Sequence, residues 1–195
     1  MWIYGAGGFG RETLDACEAS AVRVAGFLDD GLAGGVVAGV DVTDAGGAPR
    51  GEVVVAIADP ATRSHLHEKL VESGWTPTTV VDARAVIGAR TRFGPGSVVL
   101  ASAHVSCDVR FGVAAHVNYG ATIGHDTRGG ACVTVLPGAN VGGNVELGDR
   151  SLVGAGAVIL QGLEVGADAV VGAGSVVTRS VPPGVTVVGV PARQL

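Results

Sequence analysis

From Val81 to Val176 the chain repeats with a period of six and never slips. Written as hexads starting at Val81, Ile87, Phe93 and Val99 and running on to Val171, the first position is Val, Ile, Leu or Phe in fifteen of sixteen hexads; only Gly129 departs. The second position is Gly in ten, among them Gly88, Gly112, Gly124, Gly142, Gly154 and Gly172, and the fifth is mostly Ala, Ser, Thr or Val. A short fixed period marks a solenoid, and a hexapeptide period marks a parallel β-helix. Side chains alternate along a strand, so positions one and five share the inward face and fill a narrow prism with one large and one small residue each. Glycine at position two is expected to allow a tight corner with positive φ. Gly129 is expected to mark a local bulge, and Val181-Pro182-Pro183-Gly184 to end the ladder, because Pro has no N–H to give.

The repeat leaves about 75–80 residues ahead of it, enough for a small domain, and the chain divides as 1–78 and 79–195. Trp2-Ile3-Tyr4 reads as a buried strand and Arg11 to Ser20 as a helix, with Gly5, Gly7 and Gly10 between them matching G-x-G-x-x-G. Such a turn brings backbone N–H groups to a phosphate at the positive end of a helix; it serves equally as a tight turn that binds nothing. A strand over Val22 to Leu28 ends at Asp29-Asp30, with Asp29 nineteen residues past Gly10, where an acidic residue reaches a ribose hydroxyl. Val53 to Ala58 reads as another strand. Asp59 then caps a helix with Pro60 at its first position, Leu66, Leu70 and Val71 on its apolar side and a stop at Gly74. The order makes a half-sized Rossmann-like α/β domain.

Composition narrows the function. Thirteen basic and 18 acidic residues give a net charge of −5 with no basic tract, which argues against nucleic acid. Cys17, Cys107 and Cys132 are too few for a disulfide framework, so a reducing, cytoplasmic setting is expected. No signal peptide precedes the first strand and no apolar run is long enough to insert in a membrane.

Four stretches together carry a resemblance: the Gly5–Gly10 turn, Gly26-Phe27-Leu28-Asp29-Asp30, Asn118-Tyr119-Gly120-Ala121-Thr122-Ile123-Gly124-His125-Asp126, and Val188-Gly189-Val190-Pro191-Ala192-Arg193. Over nearly its whole length the chain resembles the hexapeptide-repeat sugar O- and N-acyltransferases of the sialic acid O-acetyltransferase and bacillosamine-pathway type. That resemblance implies a left-handed β-helix with three hexads per coil, a homotrimer, acetyl-CoA as co-substrate and a nucleotide-linked sugar as acceptor, with CoA and the active site between neighbouring prisms. It implies that Gly7, Gly8, Phe9 and Arg11 line the phosphates or sugar, that Asp29 and Asp30 meet the base or ribose, and that Asn118 contacts the acceptor. It further implies that Ala155 and Ala173 flank the pantetheine arm and that Arg179 and Arg193 meet CoA phosphates. Position 9 is commonly His in such proteins, and amino-sugar members often carry a second His where Thr134 stands, which places Thr134 among the expected substrate contacts.

With three hexads per coil, residues eighteen apart stack. Cys107, His125, Gly143 and Gln161 then form one row, and Asp108, Asp126, Asn144 and Gly162 the next. His125 is at position three and faces outward; Gly143 beside it offers open space and an exposed N–H, which an acyl group docked against a general base needs. Asp126 is placed to orient the imidazole. The resemblance makes His125 the base for direct transfer from acetyl-CoA. His65 and His67 read as a solvated helix face, and His104 and His116, at position six, as corner or outward residues. Two other functions share parts of this pattern. A γ-type carbonic anhydrase needs three histidines converging on zinc, but His104 and His116 stand two hexads apart at position six and His125 at position three, so no two of them stack. A non-catalytic trimer that only senses a nucleotide sugar would not need the His125-Asp126 step.

Overall fold

A computed structural model describes residues 1–195. Its N-terminal part is a six-stranded sheet in the order β3-β4-β2-β1-β5-β6, where β1 is Trp2–Tyr4, β2 Gly26–Leu28, β3 Val36–Val37, β4 Val40–Thr43, β5 Glu52–Val55 and β6 Thr76–Pro77. Helices α1 (Gly8–Ala19) and α2 (Pro60–Glu72) cover its two faces. All pairs are parallel except β3–β4, a hairpin turning through Ala38 and Gly39, both at positive φ. The sequence did not signal that hairpin, because Ala-Gly is not the Asn-Gly or Asp-Gly pair that marks such turns. Asp59 caps α2, its Oδ1 accepting the Thr62 N–H at 2.8 Å, with Pro60 next. The buried stripe of α2 is Pro60, Arg63, His67 and Leu70; Val71, expected on that side, is 47% exposed.

From Val80 onward the chain winds as a hexapeptide-repeat β-helix with three flat faces. Face one stacks Val80–Val81, Val98–Val99, His116–Val117, Thr134–Val135, Leu152–Val153, Val170–Val171 and Thr186–Val188. Face two runs from Val86–Ile87 to Val176–Val177, and face three carries Arg92–Phe93, Arg110–Phe111, Arg128–Gly129, Glu146–Leu147 and Glu164–Val165. Parallel pairing joins residues eighteen apart, as in Thr122↔Asn140. Positions one and five fill the prism with Val99, Val117, Val135 and Val153 against Ala103, Ala121, Ala139 and Ala157. Fifth-position hydroxyls inside it bond locally at Thr91, Ser97 and Thr127, Thr127 Oγ1 donating to the Gly142 carbonyl at 3.0 Å, whereas Ser151 Oγ is buried without a partner.

Three expectations about the repeat are corrected. Position-two glycines are not there for positive φ. The left-handed residues are at position four, including Arg90, Asp108, Asp126, Asn144 and Arg150, all with φ between 53° and 62°. Position two is Gly because the next coil's backbone lies against it: a β-carbon on Gly112 would sit 2.7 Å from the Ala131 nitrogen. Gly129 marks no bulge, since it pairs in register with Phe111 and Leu147. Phe93 and Phe111 stack inside the prism at 5.6 Å, and the Phe111 ring occupies the space a side chain at 129 would need. The ladder also outlasts Pro182-Pro183: Val170 pairs with Thr186, and Arg193–Gln194 folds back antiparallel on that last strand.

The two parts share a core. The position-six residues Val80, Val98, His116 and Thr134 of face one are buried under the N-terminal domain, where Val80 and Val98 join Ile3, Leu14 and Phe27. Arg63 locks this seam. Its side chain is fully buried and donates to the carbonyls of Ile57, Ala58, Ala114 and Cys132 and to Thr134 Oγ1, each at 2.7–3.0 Å. His67 lies against Gly96 in the seam rather than in solvent, because the helix stripe that holds Arg63 also holds it. His116 is fully buried too. It stacks on Phe9 at 4.5 Å, with Nε2 bonded to the Val55 carbonyl at 3.0 Å and Nδ1 unpartnered.

Burial, with the Arg63 charge second, holds His116 neutral well below the usual imidazole range; burial shifts His67 the same way. The unfolded chain therefore binds more protons than the folded one once pH drops below about 6.5. Stability from these groups is complete above that value and is lost as pH falls. Melting temperature measured from about pH 7 down to about pH 5 is expected to decline, and to decline less in His116→Gln, which keeps a donor toward Val55.

Candidate active site

His125 lies where face two turns into face three, the prism edge opposite the N-terminal domain. Thr122–Ile123 ends on face two, Arg128–Gly129 begins on face three, and the corner between them must turn outward. The imidazole and the Asp126 carboxylate are more than half exposed, and His125 Nδ1 lies 2.8 Å from Asp126 Oδ2. That contact makes Nδ1 the protonated nitrogen of the neutral ring and leaves Nε2 with a free lone pair. Nε2 lies over Gly143, where a β-carbon would sit 2.7 Å away. The Gly143 N–H donates to no backbone or side-chain acceptor in the chain. A base, a group that orients it and an unpaired N–H donor thus meet on one exposed edge. Gly143→Ala is expected to displace the imidazole and lower kcat by roughly 10–100-fold, while shifting the melting temperature by less than about 2 °C because the edge is open. Activity and melting curves together check this.

The second cluster is the turn before α1. Gly5 has φ 103° and Gly10 lies directly against its carbonyl, so both are fixed by the turn itself. Gly7 and Gly8 are exposed, with nothing within 4 Å of a β-carbon at either. Gly7 is the N-cap without a side-chain bond, and no acidic residue stands in the first turn. The open N–H groups of that turn and the positive helix end are the donor set that an anion requires. Arg11 is exposed beside it. Asp29 behaves differently from the expectation of a free ribose ligand: Oδ2 accepts the Ala6 N–H at 3.0 Å and Oδ1 the Gly31 N–H at 3.1 Å. It ties the glycine turn to the end of β2, and Asp30 is the exposed carboxylate of the pair. Asp30 borders a cleft of about 260 Å³ with Tyr4, Arg50, Lys69 and Trp75.

Residues 1–70 match the family model described as the PglD N-terminal domain, and residues 144–179 the hexapeptide repeat of succinyl-transferase. Among solved structures, a histidine-to-asparagine variant of perosamine N-acetyltransferase from Caulobacter crescentus, in complex with CoA and GDP-perosamine, is 32% identical, with TM-score 0.94 over 100% of this chain and 95% of that one. The chain belongs to the PglD-like family of hexapeptide-repeat sugar acetyltransferases. WeeI from Acinetobacter baumannii AYE (34% identity, TM-score 0.93) and the acetyltransferase domain of PglB from Neisseria gonorrhoeae FA1090 (30%, 0.95) each match over 100% of this chain and 98% of theirs. No curated protein matches the chain.

Within this PglD-like chain the remaining expected site residues do not converge on His125. Asn118 is 4% exposed at the edge between faces one and two, its Nδ2 donating to the Val135 carbonyl at 3.1 Å. Thr134, expected to touch substrate, is fully buried and holds Arg63, so it is a seam residue. Phe9, expected at the sugar, is half-buried and spends one ring face on His116. Ala155 and Ala173 are exposed on the edge between faces one and two, across face two from Gly143. Arg193 lines a cleft of about 360 Å³ with Arg179 at the C-terminal end. His104 points out of face two and His116 lies beneath the N-terminal domain, so with His125 they occupy three separate places. The seam role of Arg63 was missed. Its signal was a charged residue at i+3 from Pro60 on the stripe completed by His67 and Leu70. No helix is long and apolar enough to cross a membrane.

Proposed function

We propose that this PglD-like chain transfers the acetyl group of acetyl-CoA to an amine on a nucleotide-linked sugar, with His125 as general base. The observation that carries it is the His125 Nε2 lone pair, locked by Asp126 and aimed over the bare backbone of Gly143. The relatives support the substrates: one holds CoA with GDP-perosamine, and another holds acetyl-CoA. The sugar nitrogen attacks the thioester carbonyl while His125 Nε2 takes its proton. The Gly143 N–H stabilises the oxyanion, and the proton passes from the imidazolium to the departing CoA thiolate. Asp126 holds the ring and offsets its charge while it is protonated. Tethered as it is, the Asp29 carboxylate shapes the turn that receives the diphosphate. Gly7, Gly8 and Arg11 surround that diphosphate, and Asp30 meets the ribose or base.

The division at residue 78 separates the part that holds the acceptor from the part that does the chemistry, and the reaction then needs more than one chain. His125 is on the edge opposite face one, and the glycine turn is on face one. Face two, between them, has an outward row free of Asp, Glu, Lys and Arg: Val86, His104, Thr122, Asn140, Val158 and Val176. A homotrimer with face two toward its three-fold axis abuts the His125 edge of one protomer with the Asn118, Ala155 and Ala173 edge of the next. Both sets of site residues then line one cleft, with Arg179 and Arg193 near its C-terminal end for CoA phosphates. Thermal shift with UDP, dTDP, GDP and CMP sugars, each with CoA, tests the reading, followed by mass spectrometry of the product. A stabilising pair whose product gains an acetyl on nitrogen supports it; an O-acetyl product shifts the acceptor class, and no thiol release with any sugar favours a sensor.

A further inference from the structure

Face three carries the one outward row that breaks the usual charge rules of a sheet. Arg92, Arg110 and Arg128 are direct strand partners, followed in the same row by Glu146 and Glu164, and all five are exposed. Strand spacing sets the three guanidinium stems about 4.8 Å apart, and like charges in direct cross-strand positions are unfavourable. Two corner arginines of the solenoid are neutralised: Arg90 forms a bidentate pair with Asp108 at 2.7 and 2.6 Å, and Arg150 with Asp168 at 2.7 Å. Both oxygens of Asp108, whose carboxyl Arg110 also influences, are thereby taken. Arg92, Arg110 and Arg128 form no ion pair and no side-chain hydrogen bond, and Arg128 leaves even its strand neighbour Glu146 unpaired.

The heights along the prism show what such a row meets. Phe9, at the glycine turn, stacks on His116. His116, His125 and Arg128 all belong to one coil, the stretch from His116–Val117 on face one to Arg128–Gly129 on face three. In a trimer whose axis runs along the prism, the turn of one protomer is level with Arg128 of the next. In that arrangement face one of a protomer, which carries its N-terminal domain, adjoins face three of the next. We infer that Arg110 and Arg128, the arginines of the row nearest the level of that turn, grip the diphosphate of the acceptor that the neighbouring protomer's glycine turn presents. The step to Glu146 and Glu164 repels the second polyanionic substrate, CoA, from the same strip. This inference rests on the trimeric reading above.

The test is calorimetric titration of the intact trimer with UDP, GDP or dTDP, using whichever binds the wild type, and separately with CoA. Arg110→Gln and Arg128→Gln are each expected to weaken the nucleoside diphosphate by about tenfold. CoA affinity is expected to stay within about twofold, with a melting temperature unchanged or raised because like-charge repulsion is relieved. In turnover assays KM for the sugar nucleotide rises and kcat holds. Unchanged nucleotide affinity, or loss of CoA affinity instead, overturns the assignment. Sedimentation of the wild type as a monomer would sink the trimeric reading itself; a trimer with unaltered affinities sinks only the role of the arginines.

Discussion

His125→Ala loses about 10²–10⁴-fold in kcat, the span removed with a general base, and keeps its fold. The imidazole is 54% exposed and its one bond is to an equally exposed Asp126, so little packing is lost. The melting temperature and sedimentation coefficient of the variant are expected to match the wild type, while CoA thiol release falls. Asp126→Asn keeps the geometry but gives the ring a poorer partner for its protonated state, and loses less. At Asp126 the backbone is left-handed, with φ 61°, a conformation Asn tolerates, so that variant reports on chemistry rather than on strain. Near-normal turnover in His125→Ala would remove the histidine from the mechanism.

The second large effect is on stability. Burial pushes the Arg63 guanidinium down to about 10, still protonated near neutrality, and no carboxylate pairs with it in the seam. Carbonyl dipoles from both domains solvate the charge. Arg63→Ala leaves those acceptors dry and opens a cavity, a combination that costs on the order of 3–5 kcal/mol. Arg63→Lys keeps the charge but loses the five-donor fork, so it falls between. The loss is expected to concentrate at the seam: the N-terminal domain undocks first, and limited proteolysis cuts near residues 78–80 before the solenoid melts. Undocking also exposes His116, whose pKa then returns toward the ordinary imidazole range. A melting curve of Arg63→Ala that overlays the wild type would contradict this account.

The repeat was legible because its constraint is local: every sixth residue must face inward, and fifteen of sixteen hexads place Val, Ile, Leu or Phe there. The edge bearing His125 followed from the same arithmetic, since pairing eighteen apart fixes who stacks on whom. The cause of the position-two glycines was misjudged, because a φ preference and a close approach by the next coil select the same residue. Gly129 was legible only as a departure; the ring that needs its space is one coil away, at Phe111. The seam was the least legible part. Its bonds join Arg63 to residues 51 to 71 positions later, and no periodicity couples a helix in one domain to corner carbonyls in another. That is why Thr134 and His116, outward by their place in the hexad, are buried.

Trans-complementation tests most directly whether the base of one chain acts on the acceptor held by the next. His125→Ala supplies an intact glycine turn. Gly8→Glu supplies an intact base: its new side chain has open space and suits a helix start, yet its charge repels a phosphate. Each variant alone is expected to be inactive. Co-expressed at equal levels they should recover about a quarter of wild-type turnover, because each mixed trimer contains one junction that joins a working base to a working turn. Turnover that stays at the level of the single variants in purified mixed trimers would mean that base and acceptor come from the same chain, and the account would be wrong.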